Sequence, residues 1–375
     1  MRSLSLAVVA LLMSGAAAAP GDWTHDGYGP AATSYQPGPV RLTTLTRLWD
    51  VHTPATPDRC TLQGPPVVAD GRVFMHVPTG VAAYAAATGV RQWHWRTGVW
   101  GPDPDDRERA GAMVTAGGQV FVLSGTCHRT GAAPSYLTAL DARTGVRRWR
   151  QRLDVSTVHL VADRGVVVVS SWAARQSTVT AYRPADGRRL WRLTGWHSTS
   201  VFASGRLLAT SHDGRRSRAV SVTTGRTIWS ADRPWTAGAA DVGGRHFLVG
   251  GDEMLSSVEA ATGVLRWTIT VPGRFANDGR HLFASAGDSI DTYDAATGRK
   301  LRTVVVGSLP GQPLRAGRLV VAAVEAGRAL VVLDAVSGQI VARHDGLRLR
   351  GFHPVIAGGR VFTTDGETLT AYEGA

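Results

Sequence analysis

The sequence predicts an all-β chain: an eight-bladed β-propeller of four-stranded blades, with the ring closed by an N-terminal outer strand. Three observations predict it. A motif ending in Gly-x-x-x-Trp recurs along the chain, each copy lies downstream of a second hairpin-like segment, and each chain end carries part of one incomplete repeat.

The first copy is Tyr84 to Trp93, YAAATGVRQW, and the second is Leu140 to Trp149, LDARTGVRRW. Tyr182 to Trp191, Val220 to Trp229 and Val258 to Trp267 repeat it. Tyr293 to Arg302 (YDAATGRKLR) and Leu333 to Ala342 (LDAVSGQIVA) keep the turn and lose the Trp. The motif glycines, Gly89, Gly145, Gly187, Gly225, Gly263, Gly298 and Gly338, are spaced by 56, 42, 38, 38, 35 and 40 residues. A period near 40 residues, with one long insertion, is that of propeller blades.

Each unit reads as two hairpins. Upstream segments such as PPVVADGRVFMHV (Pro65–Val77) and FASGRLLAT (Phe202–Thr210) place short β-branched and aromatic runs around D-G or S-G turns. In the motif itself the Thr-Gly pair ends a turn whose Gly takes a left-handed conformation. No segment between units has the period of a substantial helix. One blade cannot bury both of its faces, so blades must stack around an axis. The recurrent Trp then serves as a wedge between blades, at Trp49, Trp93, Trp149, Trp191, Trp229 and Trp267.

The ends complete the ring. The last unit, Val355 to Tyr372, supplies three strands and stops at TLTAYEGA. The missing strand is LTRLWDV, Leu45 to Val51, with Trp49 in the wedge position. Closure of this kind removes the open sheet edge that invites aggregation. The organisation is therefore a signal segment over 1–18, an extension over 19–44, and one propeller over 45–373 with strand 45–51 in its last blade.

The string x-D-A-x-T-G-x-x-x-W, following P-V-V-A-D-G-R-V-F, resembles the pyrroloquinoline-quinone-type (PQQ-like) propeller repeat over roughly residues 45 to 373. The resemblance implies the fold, and it implies two kinds of function. One is a calcium- and quinone-dependent dehydrogenase; the other is a cofactor-free, BamB-like scaffold. The first needs a vicinal cysteine pair on the quinone and a set of calcium ligands. Cys60 and Cys127 are far apart, and no C-x-x-C-H segment is present. The one acidic cluster, Asp103, Asp105, Asp106 and Glu108, lacks EF-hand spacing and is interleaved with Arg107 and Arg109. The expectation is no cofactor, no metal site and no catalytic residue, with a divergent quinone- or small-ligand-dependent enzyme as the alternative.

Residues 1–18 carry Arg2, an apolar run from Leu4 to Met13, and the small residues Ala16 to Ala19, the pattern of a secretory signal peptide. That run is too short for the roughly 20 residues that span a bilayer. No cysteine precedes Cys60, so lipid attachment near the cleavage point is excluded. Export makes a Cys60–Cys127 disulfide permissible. The chain has 41 Lys+Arg against 29 Asp+Glu, a net charge of +12. That balance permits an anionic cell-surface polymer as partner, and export removes nucleic acid from reach. The expected molecule is a secreted or extracytoplasmic monomer with no transmembrane segment.

The long connections all fall on one face of the ring. Thr53 to Gly64 enters blade one, Arg96 to Ala112 joins blades one and two, and Cys127 to Ser135 lies within blade two. Long loops on a rigid scaffold are where binding concentrates. The candidate binding residues are Trp100, Asp103, Asp105, Asp106, Arg107, Arg109 and His128, with Trp100 beside arginine as an anchor. His159, His197 and His353 mark the mouth of the central funnel. Arginines spread over the blades, for example Arg147, Arg148, Arg150, Arg188, Arg189, Arg215, Arg216 and Arg218, several of them flanking a wedge Trp, are read as an outer rim. The function expected is a non-catalytic binding or assembly scaffold at the cell envelope, with another envelope protein or an anionic polymer bound by the long-loop face.

Overall fold

A computed structural model of the chain describes residues 21–52, 64–98, 108–126, 135–153, 159–163, 165–171, 176–199, 201–251, 253–271, 274–308, 310–347, 349 and 353–375. Eight antiparallel sheets stand in a ring. Blade 1 comprises Val67–Ala69, Arg72–Val77, Gly80–Ala85 and Arg91–Arg96, counted from the axis outward. Blade 2 comprises Glu108–Ala116, Gln119–Thr126, Ser135–Asp141 and Arg147–Leu153, and blade 3 comprises His159–Asp163, Val166–Ser171, Thr178–Tyr182 and Arg189–Thr194. Blades 4 to 8 start with their inner strands at Trp196, Thr236, Phe275, Leu314 and Val355.

The eighth blade takes its outer strand from the other end of the chain. Leu45–His52 pairs antiparallel with Thr368–Gly374, with Trp49 opposite Ala371. This is the closure that the incomplete last repeat predicts.

There is no single core. Apolar residues gather in clusters between neighbouring blades, such as Phe74 and Trp93 with Val120 and Leu140 between blades 1 and 2. The middle two strands of a blade are covered on both faces, so they read as continuous apolar runs such as VVVVSS (Val166–Ser171), buried throughout. Outer strands such as Leu265–Thr270 alternate between half-buried and exposed positions.

The wedge has a definite partner: the motif glycine of the following blade. Gly89 has φ +69°, and a Cβ there would lie 2.7 Å from the Trp49 ring, so only glycine fits. The same packing sets Trp93 over Gly145, Trp149 over Gly187, Trp191 over Gly225, Trp229 over Gly263 and Trp267 over Gly298. Each indole N–H then donates to a backbone carbonyl just before that glycine, as Trp93 does to Ala142 at 3.0 Å. Where the Trp is lost, Arg302 lies over Gly338 and donates to the Val336 carbonyl at 2.6 Å. The motif Asp caps the same turn: Asp141 Oδ1 accepts from the backbone N–H groups of Arg143 and Thr144 and from the Thr144 hydroxyl. The Arg148 guanidinium and these donors hold its carboxyl down at about 2.

The extension over 19–44 has a structure that no repeat announces. Residues 21–36 run inside the ring and bond to all eight blades. Trp23 exchanges two 2.8 Å backbone bonds with Val68 of blade 1, and Thr115 of blade 2 donates to the Thr24 carbonyl at 2.9 Å. Ala162 of blade 3 donates to His25 Nε2 at 3.1 Å. Phe202, Ala240, Asn277 and Arg315 of blades 4 to 7 donate to Pro30, Ala31, Thr33 and Ser34, and Gly358 of blade 8 to Gly21. Tyr35–Gln36 adds a parallel strand to the inner edge of blade 7. The innermost strand of each blade would otherwise present unpaired peptide groups to the axis. This strap pairs one or two of them on each blade.

Candidate functional site

The inner and outer strands run so that the D-G and T-G turns share one face of the ring. The strap bonds near the ends of the inner strands that lead into the D-G turns, so it occupies the axis on that side. The other face carries the long connections.

The root of one of these, between blades 1 and 2, is held by a buried acid. Glu108 is fully buried, and its carboxylate accepts from Arg150 Nη2 at 2.7 Å, from the Ser124 hydroxyl and from the Gly98 N–H at 3.0 Å. Its backbone N–H donates to the Gly98 carbonyl at 3.0 Å, and its carbonyl accepts from the Thr97 hydroxyl at 2.7 Å. The Arg150 guanidinium carbon lies 3.7 Å from the centre of the Tyr136 ring. Gly98 and Glu108 are thus clamped together beside one buried ion pair. Sequence reasoning assigned Glu108 to an acidic loop cluster and Arg150 to the solvated rim. Both turn inward, because the inner strand of blade 2 begins at Glu108 and faces Arg150 across the sheet. Arg218 is likewise not a rim residue: it is half-buried, with its guanidinium 3.9 Å from the centre of the Trp196 ring.

Of the binding residues predicted on this face, Arg109 is described: it is half-buried and pairs with Gly125. Trp100, Asp103, Asp105, Asp106, Arg107 and His128 lie outside the described residues, as do Cys60 and Cys127.

The histidines divide into two groups. His197 is buried near His159 and His212; burial lowers its pKa first, and the two neighbouring imidazoles lower it further. His353 stands apart on blade 8, with Nε2 2.8 Å from Asp26 Oδ1 of the strap and its ring 6.0 Å from Trp23. The strap's own His25 went unnoticed in the sequence because nothing in its spacing marks it. Its Nδ1 lies 2.8 Å from the Thr24 hydroxyl, and burial pushes the ring down to about 3, so it is neutral.

The family model described as outer membrane protein assembly factor BamB matches residues 81–217 and 212–345. The chain belongs to this family of PQQ-like propeller repeats. Among solved structures, it is similar to BamB from Moraxella catarrhalis, at 17% identity and a TM-score of 0.61, covering 88% of this chain and 98% of that one. It is also similar to the quinohemoprotein alcohol dehydrogenase from Comamonas testosteroni, at 14% identity and a TM-score of 0.68, covering 95% of this chain and 81% of that one. A third neighbour is the quinohemoprotein alcohol dehydrogenase ADHIIG from Pseudomonas putida HK5, at 13% identity and a TM-score of 0.66, covering 95% and 80%. At such identities the likeness concerns the fold. No curated protein sequence matches the chain significantly.

The cysteine spacing and the described residues do not supply the vicinal cysteine pair and the calcium ligands that the resemblance implies for a quinone-dependent dehydrogenase. The two cysteines are not vicinal. Among the described residues, no group of three or more His, Cys, Asp or Glu is placed to hold a metal ion. The strap, with Trp23 wholly buried, takes up axial space at one end of the ring. Among the described residues, no helix is long and apolar enough to cross a membrane.

Proposed function

We propose that this chain is a non-catalytic binding or assembly scaffold that works outside the cytoplasm, at the cell envelope, and takes a protein partner on its long-loop face. The observation that carries the reading is the division of labour between the two faces. One has tight turns and an axis filled by the chain's own strap; the other has the connection between blades 1 and 2 clamped at a buried Glu108–Arg150 pair. Clamping the base of a loop holds its two stems in place, which lowers the ordering cost on binding. The BamB-type repeat supports protein partners in general.

Affinity capture from envelope extracts tests this directly. The intact protein should retain a partner, and replacement of residues 99–107 by a short Gly-Ser linker should abolish retention while leaving thermal unfolding unchanged. Capture that survives the replacement, or quinone- and calcium-dependent dye reduction with alcohols, would overturn the reading.

Export also supports a Cys60–Cys127 disulfide. It would close a loop of 127 − 60 = 67 residues, worth roughly 4 kcal/mol on the chain-entropy estimate. Thiol labelling of the denatured, non-reduced protein should find no free thiol; two free thiols would rule the bond out.

A further inference from the structure

Where the outer strand of blade 2 meets the face of blade 3, the seam opens into a cleft of about 380 Å³. Trp149 closes one end of it by covering Gly187. Beyond the indole, the wall of blade 3 is polar. Cross-strand pairing sets Ser171 beside Thr178, Thr180 beside Arg192 and Tyr182 beside Arg189 on the face toward blade 2. Arg188 and Arg189 stand at the turn end, and Arg152 of blade 2 on the opposite lip.

The equivalent positions of other blades show what is unusual here. In blade 2 the inward cation is Arg150, and Glu108 neutralises it at 2.7 Å. In blade 6 the position of Thr180 is taken by Asp291, which pairs with Lys300 at 2.8 Å and accepts from the Thr303 hydroxyl at 2.7 Å. In blade 7 the row is apolar, Ala329 and Val331, and Arg343 is held outside it by Glu325 and Asp345. At the blade 2–blade 3 seam, no carboxylate lines the cleft among the described residues. Arg152 and Arg189 are exposed and have no acidic partner among those residues, and Arg188 has only Asp186, which Arg183 already engages. The Thr180 hydroxyl lies in the same wall.

Guanidinium groups on both lips of a trough with the Thr180 hydroxyl in its wall form a site for oxyanions: arginine binds phosphate or sulfate oxygens through forked hydrogen bonds. The trough is long. From Tyr182, beside the turn, to Thr178 is four residues along a strand, about 13 Å at 3.3 Å per residue. We propose that this cleft binds a linear polyanion, a chain of phosphate or sulfate groups lying along the seam between blades 2 and 3. The site is separate from the long-loop face and does not depend on the identity of any partner there.

Calorimetric titration at low and physiological salt tests the proposal, with tripolyphosphate, a sulfated hexasaccharide and inorganic phosphate as probes. At least one of the two chain-like probes should bind tenfold or more tightly than inorganic phosphate, and which of them does so tells a phosphate polymer from a sulfated glycan. The Arg152→Ala/Arg189→Ala double variant should weaken that binding by tenfold or more. Arg245→Ala/Arg280→Ala removes the same charge from exposed turns of blades 5 and 6 and should change it by less than threefold. Thr180→Val should weaken it by about fivefold, the value of one hydrogen bond. Circular dichroism and melting of both double variants should match the parent, since the arginines concerned are exposed. Equal losses from the two double variants would show that net charge alone attracts the probe, and failure of both chain-like probes to outbind inorganic phosphate would likewise overturn the proposal.

Discussion

The strand Leu45–His52 and the strap over 21–36 lie on opposite sides of the same ring, and they close it by different means. The outer strand is a repeat unit displaced to the far end of the sequence. It zips onto one neighbour along a full ladder and wedges Trp49 against Gly89 of the next blade. The strap stands apart from the repeats and joins a sheet only at Tyr35–Gln36, beside blade 7. It visits the inner edge of each sheet in turn, mostly through one or two backbone bonds, and buries a few side chains such as Trp23. The outer strand decides whether the ring closes at all; the strap decides whether its inner edges are dry and satisfied. Loss of the first should therefore be catastrophic, and loss of the second graded.

Truncation through residue 52 removes both segments and should leave aggregating material with no cooperative melting transition, because blade 8 then exposes an unpaired strand. A monomeric product that melts cooperatively would show that closure lies elsewhere. Deletion of residues 20–38 alone should still give a folded monomer, destabilised by about 3 kcal/mol or more, since several inner-edge N–H groups lose their acceptors at about 1 kcal/mol each. Hydrogen exchange sharpens the contrast. Amides of Ala240, Asn277 and Arg315 should exchange faster in the deletion, while those of the strand Thr368–Gly374 keep their protection.

The wedge positions extend the comparison to single side chains. Trp93 is buried and donates to Ala142, so Trp93→Ala should cost about 3–5 kcal/mol by urea unfolding. Arg302 does the same job on Gly338 with an exposed hydrogen bond, and Arg302→Ala should cost about 1 kcal/mol or less. Equal costs would mean that the carbonyl bond, rather than indole burial, is what holds neighbouring blades.

This difference also governs what could be read from the chain. The outer strand was legible because LTRLWDV matches the strand that the last repeat lacks, so register, partner and wedge all followed from one motif. The strap was not legible. Its partners are backbone groups on eight different strands, and backbone donors leave no mark in a sequence. The Glu108–Arg150 pair was hidden for another reason. Both residues occur in charge-rich strings, GPDPDDRERAG and RRWRQRL, where composition favours solvated loops and rims. Only the phase of the blade 2 strands turns these two inward, and a single residue of register decides it. The cleft at blade 3 follows the same logic. Its arginines stand out in the sequence, but that no carboxylate lines their cleft among the described residues appears only once the blades are placed side by side.

Acid should separate the two closures most finely. His25 is the strap's only histidine bonded to a blade: its Nε2 accepts from the Ala162 N–H, and that bond needs the ring neutral. Burial holds its pKa at about 3, against the opposing pull of Asp26, whereas an unfolded chain protonates histidine near 6.5. The folded state therefore binds fewer protons than the unfolded state throughout that window. The stability it contributes is complete above pH 6.5 and is lost progressively as pH falls toward 3. From pH 6.5 to pH 5 the loss amounts to about 2 kcal/mol for this one group. His25→Gln keeps an acceptor for Ala162 and cannot titrate. It should be less stable than the parent at pH 7, yet its further loss between pH 7 and pH 5 should be smaller by about 2 kcal/mol. His76 of blade 1, also buried and held down to about 4, titrates in both proteins and cancels from the difference. Urea unfolding at the two pH values measures it. Parallel losses in parent and variant would show that His25 is not what couples the strap to acid.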